Sequence, residues 1–173
     1  NRDDDIVSKT FEYDALGRTS KIKQGKLEAT FTYNTAGLLE TTLTTDTDSK
    51  QALLCTQVYD HWGRETSRTL QLQRNGAPID ERTLKQVWRG DSALHSRTLL
   101  KGATPLLTET FKYDDRDRLY EHLCEGSALP TNSKGRKILN QAFEFDSFDN
   151  MLLCITEFED GNVDEAFYSY FED

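Results

Sequence analysis

The chain has 173 residues, a length that suits one domain, and it contains no apolar run long enough to span a membrane. Hydrophobic residues make up 36% and charged residues 29%, which suits a thin sheet with much of its surface in water better than a compact globule. Aromatic residues, at 10%, recur in register and exclude disorder, while the net charge of −9 makes DNA and RNA poor partners.

The first predicted element is a β-hairpin centred on the sequence FEYDALGR, residues 11–18. In its flanks, VSKTFEY and RTSKIKQ, aromatic and β-branched residues alternate with polar ones, as in half-buried strands. Asp14 is expected to open a type I turn, because an Asp there bonds its side chain to the backbone two residues later. Gly17 then completes the turn in the left-handed conformation, where glycine has no Cβ to clash.

The same phrase returns as FTYNTAGL, QVYDHWGR, FKYDDRDR and FEFDSFDN, and its anchor aromatics are separated by 20, 26, 54 and 32 residues. Two copies have Asp in place of the turn glycine, which fits the tolerance of Asp for the left-handed conformation. The predicted structural turn residues are Tyr13, Asp14, Gly17 and Arg18; Tyr33, Asn34 and Gly37; Tyr59, Asp60, Gly63 and Arg64; Tyr113, Asp114, Asp117 and Arg118; and Phe145, Asp146 and Asp149.

The 54-residue gap is about twice the others, which predicts a degraded copy around Trp88 in VWRGDSALHSR. The RGD tripeptide at 89–91 is then expected to form a turn, and adhesion to a receptor is the less favoured interpretation. A truncated copy, YSYFED, closes the chain. The extra length of the longer repeats is expected in loops such as 44–52, 72–81 and 125–137. Residues 80–88 show weak helical spacing and fit a strand about as well.

Each repeat is thus interpreted as a strand, a tight turn, a strand and a looser turn. The predicted fold class is all-β, an antiparallel meander of repeated β-hairpins that forms a curved sheet strip over a single domain, residues 1–173. The abrupt opening NRDDDIV and the final half repeat lead us to expect a piece of a longer protein, and no signal peptide is recognisable.

No catalytic residue, metal site or cofactor is predicted. The three cysteines lie far apart without a CxxC pair, which favours free core cysteines over zinc ligands, and the three histidines show no HxH or HExxH spacing. Residues 160–165 begin like a calcium loop but lack glycine at its sixth position, so a hairpin turn is favoured. The residues in question are Cys55, Cys124, Cys154, His61, His95 and His122.

The anchor tyrosines and the phenylalanines two residues before them form an aromatic stripe. Aromatic faces next to Asp and Asn can bind carbohydrates, so a sugar-binding groove is one interpretation of this stripe. Packing of the rings as cross-strand pairs, each contributing about 0.2–1 kcal/mol, is the favoured one. The stripe comprises Phe11, Phe31, Phe111, Phe143, Tyr13, Tyr33, Tyr59 and Tyr113.

The recurring phrase Tyr-Asp-x-x-Gly-Arg resembles the YD repeat of RHS (rearrangement hotspot) proteins. Residues 13–18 and 59–64 match it fully, whereas Leu38 replaces the arginine in the second copy and Asp117 replaces the glycine in the fourth. The last copy keeps only Asp146 and aromatic character. The resemblance covers most of the chain from about residue 6, and several copies agree at the same offsets.

This resemblance implies a segment of a bacterial RHS polymorphic toxin or of a B or C component of an insecticidal toxin complex. In such proteins the repeats wind a β-strip into a hollow shell around a toxic C-terminal polypeptide. The implied partners are the remaining repeats of the parent protein or a companion toxin subunit, together with the enclosed polypeptide, and the implied location is secreted or at the bacterial surface. Related repeats occur in teneurins and wall-associated proteins and have been linked to carbohydrate binding. The family's self-cleaving core has no counterpart here, so no catalytic residue is carried over and no enzyme activity is expected.

Overall fold

The computed structural model describes residues 8–170, and the regular elements within that range are β-strands. The all-β prediction is therefore confirmed, and residues 80–88 belong to a strand and not to a helix. None of the described residues forms a helix with the length and apolar character needed to cross a membrane. The chain divides into two compact units, Asn1–Leu84 and Lys85–Asp173.

The first unit is an antiparallel meander in which the strands follow one another across the sheet in chain order. Strands pair with their sequence neighbours because each is joined to the next by a tight turn. The strands are β1 (Lys9–Tyr13), β2 (Thr19–Gln24), β3 (Leu27–Tyr33), β4 (Leu39–Asp46), β5 (Gln51–Tyr59), β6 (Glu65–Arg74) and β7 (Ala77–Trp88), the last of which ends in the second unit.

The second unit repeats this arrangement, again with antiparallel pairing between strands that are consecutive in the sequence. Its strands after β7 are β8 (Leu94–Lys101), β9 (Thr104–Tyr113), β10 (Leu119–Gly126), β11 (Ile138–Phe145), β12 (Met151–Phe158) and β13 (Val163–Phe167). The longest segment between two of its strands runs from 127 to 137, within the predicted loop 125–137.

All five hairpins that carry the repeated phrase have the same register. The anchor aromatic pairs with the residue six positions later, and the residue before it pairs with the one eight positions after the anchor. One residue of the second strand is thus left over, which makes a β-bulge at the same place each time. The anchor pairs are Tyr13 with Thr19, Tyr33 with Leu39, Tyr59 with Glu65, Tyr113 with Leu119, and Phe145 with Met151.

The expectation that extra length lies in loops 44–52 and 72–81 is wrong. Residues 44–46 end β4, residues 51–52 begin β5, and only Asn75 and Gly76 separate β6 from β7. Repeats grow by lengthening strands, to ten residues in β6 and twelve in β7. A polar strand costs little here, because every residue of β6 and β7 is either half-buried or exposed.

Few side chains are fully covered. Among the described residues only Cys124, Leu129, Phe158 and Glu109 are buried, with exposed fractions of 8% or less. Cys55 and Cys154 are free but only half-buried, so the expectation of core cysteines holds for Cys124 alone. With so little shared core, stability must come largely from contacts between adjacent strands and turns.

Candidate functional site

The repeated phrase builds a five-residue turn, here named the corner, which residues 14–18 illustrate. The Asp14 amide donates to the Arg18 carbonyl oxygen at 2.8 Å, and the Gly17 amide donates to the Asp14 carbonyl oxygen at 3.0 Å. The Asp14 carboxylate accepts from the amides of Leu16 and Arg18, both at 2.9 Å. The Arg18 Nε atom donates to the same carboxylate at 2.7 Å, so Asp14 organises the whole corner.

The fourth position of a corner is left-handed. Gly17 has φ +76°, while Asp117 and Asp149 adopt +59° and +68° in the places that glycine holds elsewhere. The two backbone bonds seen in 14–18 recur, which makes the following described segments corners: 14–18, 34–38, 60–64, 89–93, 114–118, 132–136, 146–150 and 158–162.

The corners at 89–93 and 158–162 use a different side chain. Their first residues, Arg89 and Phe158, cannot accept hydrogen bonds through their side chains. Instead, Asp91 accepts from the Ala93 amide and Asp160 from the Asn162 amide, each at 3.0 Å. The degraded copy therefore keeps the backbone turn, with the RGD tripeptide inside it, although the capping carboxylate has moved by two positions.

The corner at 132–136 was missed by sequence reasoning. Asn132 accepts from the amides of Lys134 at 2.9 Å and Arg136 at 3.0 Å, as Asp14 does in the first corner. Thr131 stands where an anchor aromatic would be, so a search led by aromatic residues passes over it. The signal that could have found it is the spacing Asn-x-x-Gly-Arg.

Hydrogen bonds hold the corner carboxylates in their ionised form. Partial burial of Asp60 would by itself raise its pKa, but donation from the Arg64 guanidinium and from the amides of Arg64 and Trp62 lowers it below its ordinary value. The pKa of Asp14 is lowered by an equivalent balance, with Arg18 and Leu16 as donors. The corner is therefore built around a charged aspartate.

Tyr33, Tyr59 and Tyr113 also tie their repeats to the preceding corner. The Tyr33 hydroxyl donates to the Thr19 carbonyl oxygen at 2.8 Å, and Thr19 directly follows the corner 14–18. Tyr59, Tyr113 and Tyr170 make the same bond at 2.8–3.0 Å to Leu39, Leu94 and Met151, each of which directly follows a corner. Phe145 has no hydroxyl with which to make this bond.

The corner arginine makes a second connection. The Arg18 guanidinium, bonded to Asp14 by Nε, lies 4.2 Å from the ring centroid of Tyr33 in the next repeat. Arg118 lies in the same way 5.0 Å from the Phe145 ring, and Arg136 lies 5.7 Å from the Phe158 ring. Such cation–π contacts contribute about 0.5–1 kcal/mol at exposed sites. The tyrosine and the arginine therefore join repeats, while the aspartate and the glycine shape the corner.

Asp at the fourth position brings an additional contact between neighbouring corners. Arg118 Nη1 lies 2.8 Å from Asp149 Oδ1 and donates to the Asp146 carbonyl oxygen at 2.8 Å. Arg89 Nη2 lies 3.5 Å from Asp117 Oδ1. Both left-handed aspartates thus face an arginine from another corner, 89–93 for Asp117 and 114–118 for Asp149, which glycine could not do.

The aromatic stripe is only partly accessible. Tyr13 and Phe11, in the first copy, have exposed fractions of 62% and 46%, whereas Tyr33, Tyr59 and Tyr113 are half-buried. A pocket of about 450 Å³ near the turns at 47–50 and 75–76 has no aromatic residue in its lining, which includes Leu43, Ala52 and Gln73. The stripe and this pocket are therefore separate features.

One cluster of reactive side chains lies on β9 and β10, and no sequence motif connects its members. Glu109 Oε1 lies 3.0 Å from His122 Nε2, and Cys124 Sγ lies 3.5 Å from the same nitrogen. Arg97 donates to both oxygens of Glu109, with Nη2 2.9 Å from Oε1. The Phe111 ring stacks on the His122 ring at a centroid distance of 4.8 Å.

This cluster lacks the geometry of a cysteine–histidine–acid triad. A triad needs the nucleophile and the acid on opposite ring nitrogens, but both groups here face Nε2. Burial, with the Glu109 charge adding to it, raises the pKa of the Cys124 thiol to about 11, so the thiolate is disfavoured. Burial would raise the pKa of Glu109 too, but the hydrogen bonds from Arg97 and His122 lower it.

No model of a known protein family matches the chain, and no curated protein matches it either. Among solved structures, the chain is similar to the crystal structure of TcdB2-TccC3-TEV, with 13% identity and a TM-score of 0.38. It is also similar to the crystal structure of TcdB2-TccC3, with 13% identity and a TM-score of 0.37. The Photorhabdus luminescens Tc holotoxin pore is 12% identical with a TM-score of 0.34.

These alignments cover 94% of this chain but only 11–12% of the solved chains, so the chain spans about a tenth of their length. The structures are Tc toxin components. Insecticidal toxin complexes are among the proteins that the YD phrase resembles.

Proposed function

We propose that this chain is a structural segment of an RHS-type toxin shell, which encloses and helps to deliver a toxic C-terminal polypeptide. The observation that carries this proposal is the use of the repeated residues. Tyr59, for example, bonds to the residue after the preceding corner, while Asp60 and Arg64 hold their own corner together. The repeated phrase is thus employed in joining one repeat to the next.

Identical register supports a wall that grows by addition. Every hairpin with the phrase has its bulge at the same place, so each repeat has the same backbone arrangement as the next. A unit that joins only its neighbours can be added many times without a new core. We propose the remaining repeats of the parent protein, or a companion toxin subunit, as partners along the sheet.

The first hairpin shows what such a partner would cover. The rings of Tyr13 and Phe11 are exposed, whereas the equivalent rings of Tyr33 and Phe31 are half-buried. A preceding corner arginine would lie over Tyr13 as Arg18 lies over Tyr33. Additional repeats at this edge would also pair with the side of β1 that no other described strand covers.

Whether this segment helps to enclose the toxic polypeptide can be tested in the parent toxin. Gly63→Val forces a β-branched residue into φ +80° and should open the wall, whereas Gly63→Asn is the matched control that tolerates this backbone. We expect limited proteolysis to cleave the C-terminal polypeptide much faster in the Val variant, with loss of delivery. Equal protection in the two variants, with the corner shown to be distorted in the Val variant, would contradict a role in enclosure.

A secreted, non-enzymatic role belongs to the same proposal. The Glu109–His122–Cys124 cluster lacks triad geometry, and the corner aspartates are already engaged by backbone amides. Assay of the chain against peptide, ester and glycoside substrates should show no turnover above the uncatalysed rate. Turnover abolished by Cys124→Ser would refute this part.

Carbohydrate binding remains the alternative prediction. Three anchor tyrosines already donate their hydroxyls to backbone carbonyls, which leaves only ring faces and edges for a sugar. A glycan array distinguishes carbohydrate binding from a purely structural role. Saturable binding that is lost in Tyr13→Ala, whose ring is the most exposed of the anchor tyrosines Tyr13, Tyr33, Tyr59 and Tyr113, would favour a carbohydrate-binding module.

A further inference from the structure

We propose that Glu109, His122 and Cys124 form a binding site for zinc or a similar divalent transition metal ion. Their carboxylate oxygen, ring nitrogen and sulfur all lie within 4.8 Å of one another. Zinc bonds of about 2.0–2.3 Å in a tetrahedron place the ligand atoms roughly 3.3–3.8 Å apart. The sulfur–nitrogen distance of 3.5 Å falls in that range, and the nitrogen–oxygen distance of 3.0 Å falls just below it.

The strand register brings the three ligands together. Glu109 pairs with Cys124 across β9 and β10, and Phe111 pairs with His122 in the adjoining row. Residues two apart on a strand share a face, so Glu109 and Phe111 project to the same side, as do His122 and Cys124. The site therefore rests on hydrogen-bonded strands.

The hairpin itself does not require these residue types. At the positions equivalent to Glu109, His122 and Cys124, the second hairpin has Ala29, Thr42 and Thr44, and the third has Cys55, Arg68 and Leu70. The fifth has Gln141, Cys154 and Thr156. All of these hairpins keep the same register and bulge. The combination of thiol, imidazole and carboxylate is thus an addition to the repeat, and these are ligand types that zinc prefers.

The surroundings suit a bound cation. Arg97 donates to both oxygens of Glu109, so the ion would replace the Nη2 contact at Oε1 while the Nε contact at Oε2 keeps the carboxylate oriented. An entering ion would displace the proton that His122 Nε2 donates to Glu109, and Gln141 Oε1, 3.4 Å from His122 Nδ1 on the opposite side of the ring, would then accept from the proton on Nδ1. Cys124 and Glu109 are 2% and 6% exposed, so the ion would be shielded from competing ligands in solvent. A water molecule would complete the tetrahedron.

Cobalt(II) is the direct probe, because its bond to a thiolate gives a charge-transfer absorption band. The whole chain is titrated with Co²⁺ and then with Zn²⁺, and thermal unfolding is followed with and without Zn²⁺. We expect a band that saturates at one ion per chain, disappears when Zn²⁺ replaces Co²⁺, and accompanies a rise in Tm, because a ligand of the folded state stabilises it. His122→Gln should weaken binding at least tenfold.

Cysteine variants separate this site from adventitious thiol binding. Cys124→Ser should abolish the band, whereas Cys55→Ser and Cys154→Ser, which remove half-buried thiols elsewhere, should keep it. Circular dichroism of each variant shows whether the strands persist. If Cys124→Ser unfolds, His122→Gln takes its place as the decisive variant. Absence of a band at stoichiometric cobalt, or a band that survives His122→Gln at full strength, overturns the proposal.

Discussion

The Tyr59 hydroxyl donates a hydrogen bond of 2.8 Å to the Leu39 carbonyl oxygen, twenty residues earlier in the chain. The bond joins the anchor of one hairpin to the residue that follows the corner of the hairpin before it. Burial raises the pKa of this hydroxyl, so it is the neutral, donating form that is present at physiological pH. A residue that identifies the repeat in the sequence is thus also a link between repeats.

Replacing Tyr59 by Phe removes this link and keeps the ring. We expect the free energy of unfolding to fall by about 1 kcal/mol, because the Leu39 carbonyl loses its donor. Tyr13→Phe is the matched control, since its hydroxyl belongs to an exposed ring in the first described hairpin. Urea unfolding of both variants makes the comparison, and an equal loss in the two would refute the link.

Substitution of Gly17, at the left-handed position of the first corner, is expected to destabilise the protein through backbone strain and not through a steric clash. At Gly17, with φ +76°, an added Cβ meets no atom within 4 Å. Gly17→Ala should therefore cost only the left-handed strain of about 1–2 kcal/mol. Gly17→Asn should cost less, because asparagine tolerates this conformation, and Gly17→Val should cost more. If the melting temperatures of the three variants coincide with that of the parent, the corner does not depend on this conformation.

Protonation of the corner aspartates should destabilise the fold in acid. The pKa values of Asp14, Asp60, Asp114 and Asp146 are lowered below their ordinary value of 3.8 in the folded chain. A depressed folded-state pKa gives stability that is present above pH 3.8 and is lost as the pH falls through the folded-state value. Thermal unfolding measured between pH 6 and pH 2 should show this decline.

The control for this pH dependence comes from the chain itself. Asn34 accepts from the amides of Ala36 and Leu38, both at 3.0 Å, so a neutral amide can organise a corner. Changing all four aspartates to asparagine should therefore keep the fold at pH 6 and flatten the decline below pH 4. An unchanged slope would mean that other carboxylates control the acid transition.

The local chemistry of the corners could be predicted from the sequence, whereas contacts set by register could not. An Asp or Asn followed three residues later by Gly is a turn signal, and Asp14 and Asn34 both fit it. The corner at Asn132 was not predicted, because Thr131 stands in place of the aromatic residue that identifies the other corners. The strand lengths were not predicted because a strand here can carry polar residues on its half-buried face, as β6 does with Gln71 and Gln73 opposite Leu70 and Leu72. A polar stretch in this sequence therefore does not by itself predict a loop.

The Glu109–His122–Cys124 cluster could not be predicted from the sequence either, because it depends on strand register. Its members are separated by 13 and 2 residues, a spacing that matches no metal-binding motif. They meet because the residue four before the anchor pairs with the residue eleven after it, as Glu109 pairs with Cys124. That rule becomes available only when the bulge is known, since the bulge shifts the pairing by one position.

The Arg97–Glu109 pair should matter for stability even without a metal ion. Arg97→Met leaves the buried Glu109 carboxylate without its guanidinium partner and with the His122 imidazole beside it. Removing one partner of a buried pair costs about 3–5 kcal/mol. Because the Arg97 side chain is 42% exposed, we expect about 1–3 kcal/mol here. Lys112→Met, which breaks the more exposed pair with Glu121, should have little effect on urea unfolding. A loss in Arg97→Met no larger than in the control would show that water replaces the guanidinium.

Gly126 should be the glycine least tolerant of substitution. Its φ is +131°, and an added Cβ would lie 2.3 Å from the Leu106 carbonyl oxygen, which belongs to the backbone of β9. That oxygen also accepts from the Ala128 amide at 2.9 Å, so it cannot move away without breaking this bond. Gly126→Ala should therefore cost about 3 kcal/mol or more, the sum of overpacking and backbone strain. Gly102→Ala, at φ +56° with open space around it, isolates the strain alone. Urea unfolding that gives the same free energy for both variants would show that the chain after β10 can shift away from β9.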